Sequence, residues 1–176
     1  MKEWMKMKEL DQTKETRVNL WKSVSGLTDG QLNTEAVAGS WTIGQVLEHL
    51  YLMETIIVRT LEKALSSPED RPTDKKPYEV TLDRSRKLSA PDGLVPAGHF
   101  QSLEDVKMKL NTSREALDKL LADYSGVDLR KKSHPHPVFG MMDAAQWVDF
   151  IGYHEQRHTQ QIEELKQALL AGQKKM

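Results

Sequence analysis

No cysteine occurs in the 176 residues, which excludes disulfides, thiolate metal ligands and a cysteine nucleophile, and agrees with a reducing compartment. Charge of one sign is lacking too. Lys and Arg number 25 against 26 Asp and Glu, a formal net charge of −1, and the basic residues are interspersed with acids. Such a surface exerts no general pull toward nucleic acid or anionic membrane. The most apolar segment, VLEHLYLMETIIV (46–58), is interrupted by Glu48, His49 and Glu54 and is too short and polar to span a bilayer. The opening MKEWMKMKEL is charged throughout and lacks the apolar core of a signal peptide. There is no strand–glycine-rich turn–helix unit of the nucleotide-binding kinds, and no repeat at solenoid periods. What is present, 38% hydrophobic and 29% charged residues, is ordinary for a soluble globular protein. The expectation is one cytoplasmic domain over 1–176, with no nucleic-acid or membrane partner.

Four segments carry helical periodicity. In the first, about 3–25, Met7, Leu10, Val18, Trp21 and Val24 follow the spacing of one buried face, and Gly26 is placed to end it. The second begins at Thr42, with Gln45 in the capping-box position, and runs to about Leu65 on Ile43, Val46, Leu47, Leu50, Met53, Ile57 and Leu61. His49 falls within that apolar face. A connection of residues 66–101 follows, with prolines at 68, 72, 77, 91 and 96; its YEVTL reads as a possible short strand without an evident partner. Ser102 opens the third helix, carried by Leu103, Val106, Leu110, Leu117 and Leu120 with Ser113 in the gap. The following SGVDLRKKSHPHPVFGMM reads as a loop, its proline-stiffened end packing Val138 and Phe139 over the bundle. Asp143 caps the fourth helix, with Gln146 three residues on. Trp147, Ile151, Ile162, Leu165 and Leu169 define its stripe, and His154 and His158 occupy the stripe's remaining positions. The expected fold class is all-α, with the 66–101 connection as a candidate crossover between the second and third long helices.

Histidines four apart on a helix project about 40° from one another and can converge on one ion. Three inward imidazoles would each need a hydrogen-bond partner in a bland core, whereas one metal ion satisfies all three and leaves each second ring nitrogen for another acceptor. The motif His154-Glu155-x-x-His158 has the spacing of a zinc protease, but that chemistry takes a third ligand, usually downstream. No histidine follows His158, and Glu163 and Glu164 lie farther along the same helix and cannot fold back. The protease reading is therefore rejected, and Glu155 is expected in solvent or in an ion pair between helices. The third ligand must come from His49, His99, His134 or His136. His49 is chosen because periodicity places it on a core face, giving a metal site of His49, His154 and His158. Gly44 and Gly152 lie within helices, where the functional reading is room for a ligand and the preferred one is close packing. Trp4, Trp21, Trp41 and Trp147 are expected in the core, and Arg157 paired with an acid on a neighbouring helix.

These residues also resemble a family. SWTIGQVLEHLYLMET is similar to the second-helix signature of the DinB-like superfamily, where a Trp-Ser/Thr pair precedes an inward histidine. HPVFGMMDAAQWVDFIGYHEQRHTQQIEEL resembles that superfamily's closing segment, a His-Pro and Phe-Gly loop leading into a helix with His-x-x-x-His. GLTDGQLN and APDGLVPAGHFQSLEDV fit as well. The resemblance implies a four-helix bundle, a homodimer, and a divalent ion, zinc or nickel, on residues matching His49, His154 and His158. It further implies thiol S-transfer, as in bacillithiol S-transferases of the YfiT-like branch. Three neutral imidazoles leave a coordination position open, the layout of a catalytic site. A thiol supplied with the substrate, ionised by ligation, could attack an epoxide, an activated halide or an aromatic acceptor. Two other readings stand beside it: metal-assisted hydrolysis, and a non-enzymatic stress-response protein whose ion secures the bundle.

Overall fold

The computed structural model of the chain describes residues 2–85 and 89–173, with side chains from Asp11 to Gly172 outside the gap. Its elements are α1 (Lys2–Ser23), the single-turn α2 (Asp29–Leu32), α3 (Ile43–Leu65), 3-10 turns at Tyr78–Leu82 and Asp92–Leu94, α4 (Leu103–Asp123), a 3-10 turn at Leu129–Lys131, strands β1 (Ser133–His136) and β2 (Gly140–Asp143), and α5 (Ala144–Gln173). The four long helices form the bundle: α5 packs on α1 and α3, and α3 also packs on α4.

The helix starts follow local chemistry. Thr42 accepts from the Gln45 amide at 3.2 Å while the Gln45 side chain accepts from the Thr42 amide at 2.9 Å, a reciprocal capping box. Thr28 and Gln31 repeat that arrangement ahead of α2. Ser102 accepts from the Asp105 amide, and Asp143 from the Gln146 amide. After α1 the chain reverses through Gly26, whose φ of +79° is left-handed and so favours glycine.

Several expectations are corrected. Val18 is 51% exposed, and Leu20 and Val24 carry the inner face of α1 instead. The side chains of Trp4, Met7 and Leu10 lie outside the described residues. YEVTL is a 3-10 turn, and among the described residues it pairs with no strand. It is held against α5, where Tyr78 packs edge-on to Tyr153 and donates to Asp149 at 2.8 Å. The loop before α5 contains a two-stranded antiparallel ribbon in the register Ser133↔Asp143 to His136↔Gly140. Val138, at its tip, is 69% exposed, while Phe139 does pack inward on His136 and Phe150. Trp147 is buried as expected, and Trp41 and Trp21 are half-buried, with Trp21 beneath the Arg17 and Lys107 cations.

The apolar interior is divided in two. One cluster holds Ile57, Leu61, Leu117, Trp147, Phe150 and Ile151; the other holds Leu20, Val46, Leu47, Leu50, Leu110 and Ile162. Between them a polar belt crosses all four helices: Thr16 and Arg17 on α1, Glu54 on α3, Ser113 and Arg114 on α4, and His154, Glu155 and His158 on α5. The belt interrupts the leucine spacing of each helix at about the same height.

Of Gly44 and Gly152, only Gly44 serves close packing. A Cβ on Gly44 would sit 3.3 Å from the Leu32 carbonyl oxygen, so α2 closes directly on α3. A Cβ on Gly152 would meet only the Gln12 side chain, at 3.5 Å, an ordinary contact. Gly152→Ala is therefore expected to raise stability by up to about 1 kcal/mol through helix propensity. A thermal melt checks this, and a lowered Tm would mean the Gln12 contact is tighter than its distances imply.

Candidate metal centre

α3 and α5 bring His49, His154 and His158 together. All three are buried, at 4, 7 and 8% exposure, and one ring nitrogen from each lies within 4.8 Å of the others. His49 Nε2 and His154 Nε2 face each other at 3.3 Å. That matches the edge of a tetrahedron about an ion with ligand bonds of about 2.0–2.1 Å. The ring centroids are 4.5–5.1 Å apart, close enough for the three to share one ion.

The outer nitrogens fix which lone pairs face inward. His49 Nδ1 donates to the Leu94 carbonyl at 2.8 Å, which leaves Nε2 unprotonated on the inside. His158 Nδ1 donates to Gln161 Oε1 at 2.7 Å with the same consequence. The Leu94 contact gives the crossover a definite task, because its Asp92–Leu94 turn orients a histidine from α3. Arg157, one residue before His158, anchors the same crossover by donating to the Thr81 and Asp83 carbonyls, both at 2.7 Å.

Burial holds all three rings neutral. The pKa of His49 is lowered by burial against the opposing Leu94 bond. His158 is pushed down to about 3, first by burial and then by the neighbouring His49. His154 lies well below the ordinary value, through burial and then the proximity of His158 and His49. Neutral imidazoles are what metal ligation requires. The sign of the pH dependence follows. In the unfolded chain these histidines take up protons near pH 6.5, whereas in the folded chain each does so at lower pH, His158 at about 3. Their contribution is fully present above about pH 6.5 and is lost as the pH falls toward 3. The chelator-treated protein should show a Tm that is level from pH 7 to 8 and declines steadily below about pH 6. A Tm level down to pH 4 would contradict this.

The remaining histidines stand apart. His99 is exposed and His134 half-buried. His136 is buried against Phe139, Trp147 and Phe150, and its Nδ1 accepts from the Val138 and Phe139 amides, closing the hairpin turn. Burial pushes its pKa down to about 4. The rings of Trp41, 5.0 Å from His49, and Phe150, 5.8 Å from His154, form apolar walls beside the triad.

The charge cluster beside His154 is what sequence reasoning missed. Glu155 is 2% exposed and accepts from Thr16 at 3.1 Å, Arg114 at 3.0 Å and the Arg17 Nε. Glu54 accepts from Arg17 at 2.8 Å, Ser113 at 2.6 Å and Arg114 at 2.6 Å. Both arginines also cap backbone, Arg17 at the Leu110 carbonyl and Arg114 at the Thr13 carbonyl. Two carboxylates and two guanidiniums thus cancel in charge. Burial opposes the ionised Glu54, but Arg114 and Arg17 outweigh it and hold its pKa below the ordinary value. Glu155 therefore sits in an ion pair between helices, which removes it as a protease-like general base. The one signal available was the run of polar residues at core positions in all four helices. Arg157 makes the crossover contacts given above, to the Thr81 and Asp83 carbonyls.

A four-helix bundle with a long crossover and three converging imidazoles from α3 and α5 defines a class of bundle with a built metal-competent centre. The DinB superfamily profile matches residues 12–162, and the chain belongs to that superfamily. It is 36% identical over 155 residues to YuaE of Bacillus subtilis (strain 168), covering 88% of this chain and 95% of the relative. It is 27% identical over 144 residues to a Geobacillus kaustophilus (strain HTA426) protein named "Putative metal-dependent hydrolase GK0616", covering 82% and 74%. Two solved structures share the fold at a TM-score of 0.60 each. One is TT2238, a four-helix bundle protein, at 21% identity over 89% of this chain and 97% of that one. The other is YfiT from Bacillus subtilis, described as "a probable metal-dependent hydrolase with an unusual four-helix bundle topology", at 20% identity over 96% and 90%. Among the described residues no helix is long and apolar enough to cross a membrane.

Proposed function

We propose that the protein is a metal-dependent enzyme whose divalent ion, zinc or nickel, is held by His49, His154 and His158, and whose reaction transfers a small-molecule thiol to an electrophile. The observation that carries the metal reading is the convergence of three buried, neutral imidazoles on one point. A hydrogen-bonded core of histidines does not require their lone pairs to face one another. A bound ion would supply Lewis acidity, under which a ligating thiol with a free pKa of about 8.5 is deprotonated.

The chain's own residues favour a thiol over water as nucleophile. Each carboxylate that neighbours the triad in sequence is committed elsewhere. Glu48 accepts from Gln101 at 3.0 Å and pairs with Lys109 at 3.5 Å, and Glu54 and Glu155 are bound by the two arginines. Activation of water gains from a poised general base, whereas a ligated thiol needs none. Trp41 and Phe150 place apolar rings beside the triad, and the Leu94 and Gln161 acceptors keep two of the imidazoles oriented.

The test incubates metal-loaded protein with a low-molecular-weight thiol and a panel of epoxides, activated halides and aromatic acceptors, following loss of free thiol. Thiol-dependent turnover that disappears in His154→Ala is expected. Turnover that persists when the thiol is omitted would favour hydrolysis, the reading that the names of GK0616 and YfiT suggest. An empty screen, with a Tm that falls on chelation, would leave the ion a structural role.

A further inference from the structure

A histidine that ligates a metal through one nitrogen generally donates its other N–H to an acceptor, which fixes the ring. His49 has the Leu94 carbonyl for this and His158 has Gln161. His154, 7% exposed, turns Nε2 toward His49, and its Nδ1 has no protein partner among the described residues. His154 also lines a small pocket of about 10 Å³ whose other polar walls are Arg17, Glu54 and Glu155. That volume is about one water-sized sphere, and a buried water is stable where two to four polar groups surround it. Such groups are available. Glu54 Oε1 accepts from Arg114 and Glu155 Oε1 from Arg17, so each oxygen retains a lone pair. Arg17 directs three of its five N–H groups to Glu155, Leu110 and Glu54 and keeps two.

We infer that this cavity holds one water molecule, which accepts the Nδ1 proton of His154 and donates to the Glu54–Glu155 carboxylates, making the Arg17–Glu54–Arg114–Glu155 cluster the positioning device of the third histidine. The inference rests on the metal reading of the triad. It accounts for a charge-neutral belt tying α1 and α4, which contribute no histidine, to the ligand-bearing helices. An acceptor reached through water lets the ring be oriented without a side chain entering the site.

The test joins zinc competition against a chromogenic chelator to nitrogen-15 spectroscopy of the histidine rings. In the wild type the His154 proton is expected on Nδ1, with a rotating-frame Overhauser contact to water. Glu155→Gln and Glu54→Gln are expected each to weaken zinc binding by about tenfold or more. A cluster that only stabilises the fold would lower the Tm of these variants, leave zinc affinity unchanged and show no water at the ring; that combination overturns the inference. If the variants do not fold, the wild-type ring contact decides alone. A wild type that binds no zinc removes the metal reading. The ring contact in that metal-free protein still decides the water: its presence upholds the water bridge between the cluster and His154 without a metal-positioning role, and its absence overturns it.

Discussion

Replacing His49 by alanine is expected to abolish retention of the metal ion: a wild type carrying about one zinc or nickel per chain, and a variant at background by mass spectrometry. His154 and His158 alone lie on adjacent turns of α5, and only His49, facing His154 across 3.3 Å from α3, makes the site a junction between helices. The loss should therefore appear in stability as well as in metal content. An ion present at about a thousand times its dissociation constant stabilises the folded chain by about 4 kcal/mol, so chelation should lower the wild-type Tm and leave that of the variant unchanged. The variant should still fold, because His49 contributes one ring among the apolar residues Val46, Leu47 and Leu50. Wild-type protein that purifies without metal and does not respond to added zinc would make the triad a set of core histidines, and the enzymatic reading would lose its chemical basis.

The sites of helix initiation were legible in the sequence because each is encoded within four residues. Thr42 with Gln45, Ser102 with Asp105, and Asp143 with Gln146 all cap as their spacing predicts. The triad was legible for a related reason: His49, His154 and His158 take positions that periodicity assigns to a buried face. What could not be read depends on pairing at a distance. The β1–β2 ribbon consists of four-residue strands, one carrying Pro135, and shows no alternation long enough to identify. His136 looks like a loop residue until the turn amides close on its Nδ1. The crossover reads as a proline-rich connection, and its function as the support of His49 depends on a backbone carbonyl, which no side-chain pattern encodes. Glu54 and Glu155 reveal their partners only when Arg17 and Arg114 arrive from other helices.

The second large effect lies in that belt. Glu54→Ala is expected to destabilise the protein by about 3–5 kcal/mol, because it leaves two buried guanidiniums facing the single charge of Glu155. Arg17 and Arg114 have side-chain exposures of only 10 and 11%, so water cannot replace the lost carboxylate cheaply. Their bonds to the Leu110 and Thr13 carbonyls also keep them from swinging out without abandoning backbone acceptors on α4 and α1. For a domain of this size the loss corresponds to a fall in Tm of roughly 10 °C, read in chelator-treated protein so that metal binding does not contribute. The opposite manipulation separates stability from specificity. Replacing Arg17, Glu54, Arg114 and Glu155 together by apolar residues of similar volume should cost far less than Glu54→Ala, since buried ion pairs often contribute little net stability. That variant would join the two apolar clusters into one and remove the polar wall beside His154. A Glu54→Ala protein within about 1 kcal/mol of wild type would mean that the guanidiniums reach solvent, and the belt would not be the closed, charge-balanced layer its geometry describes.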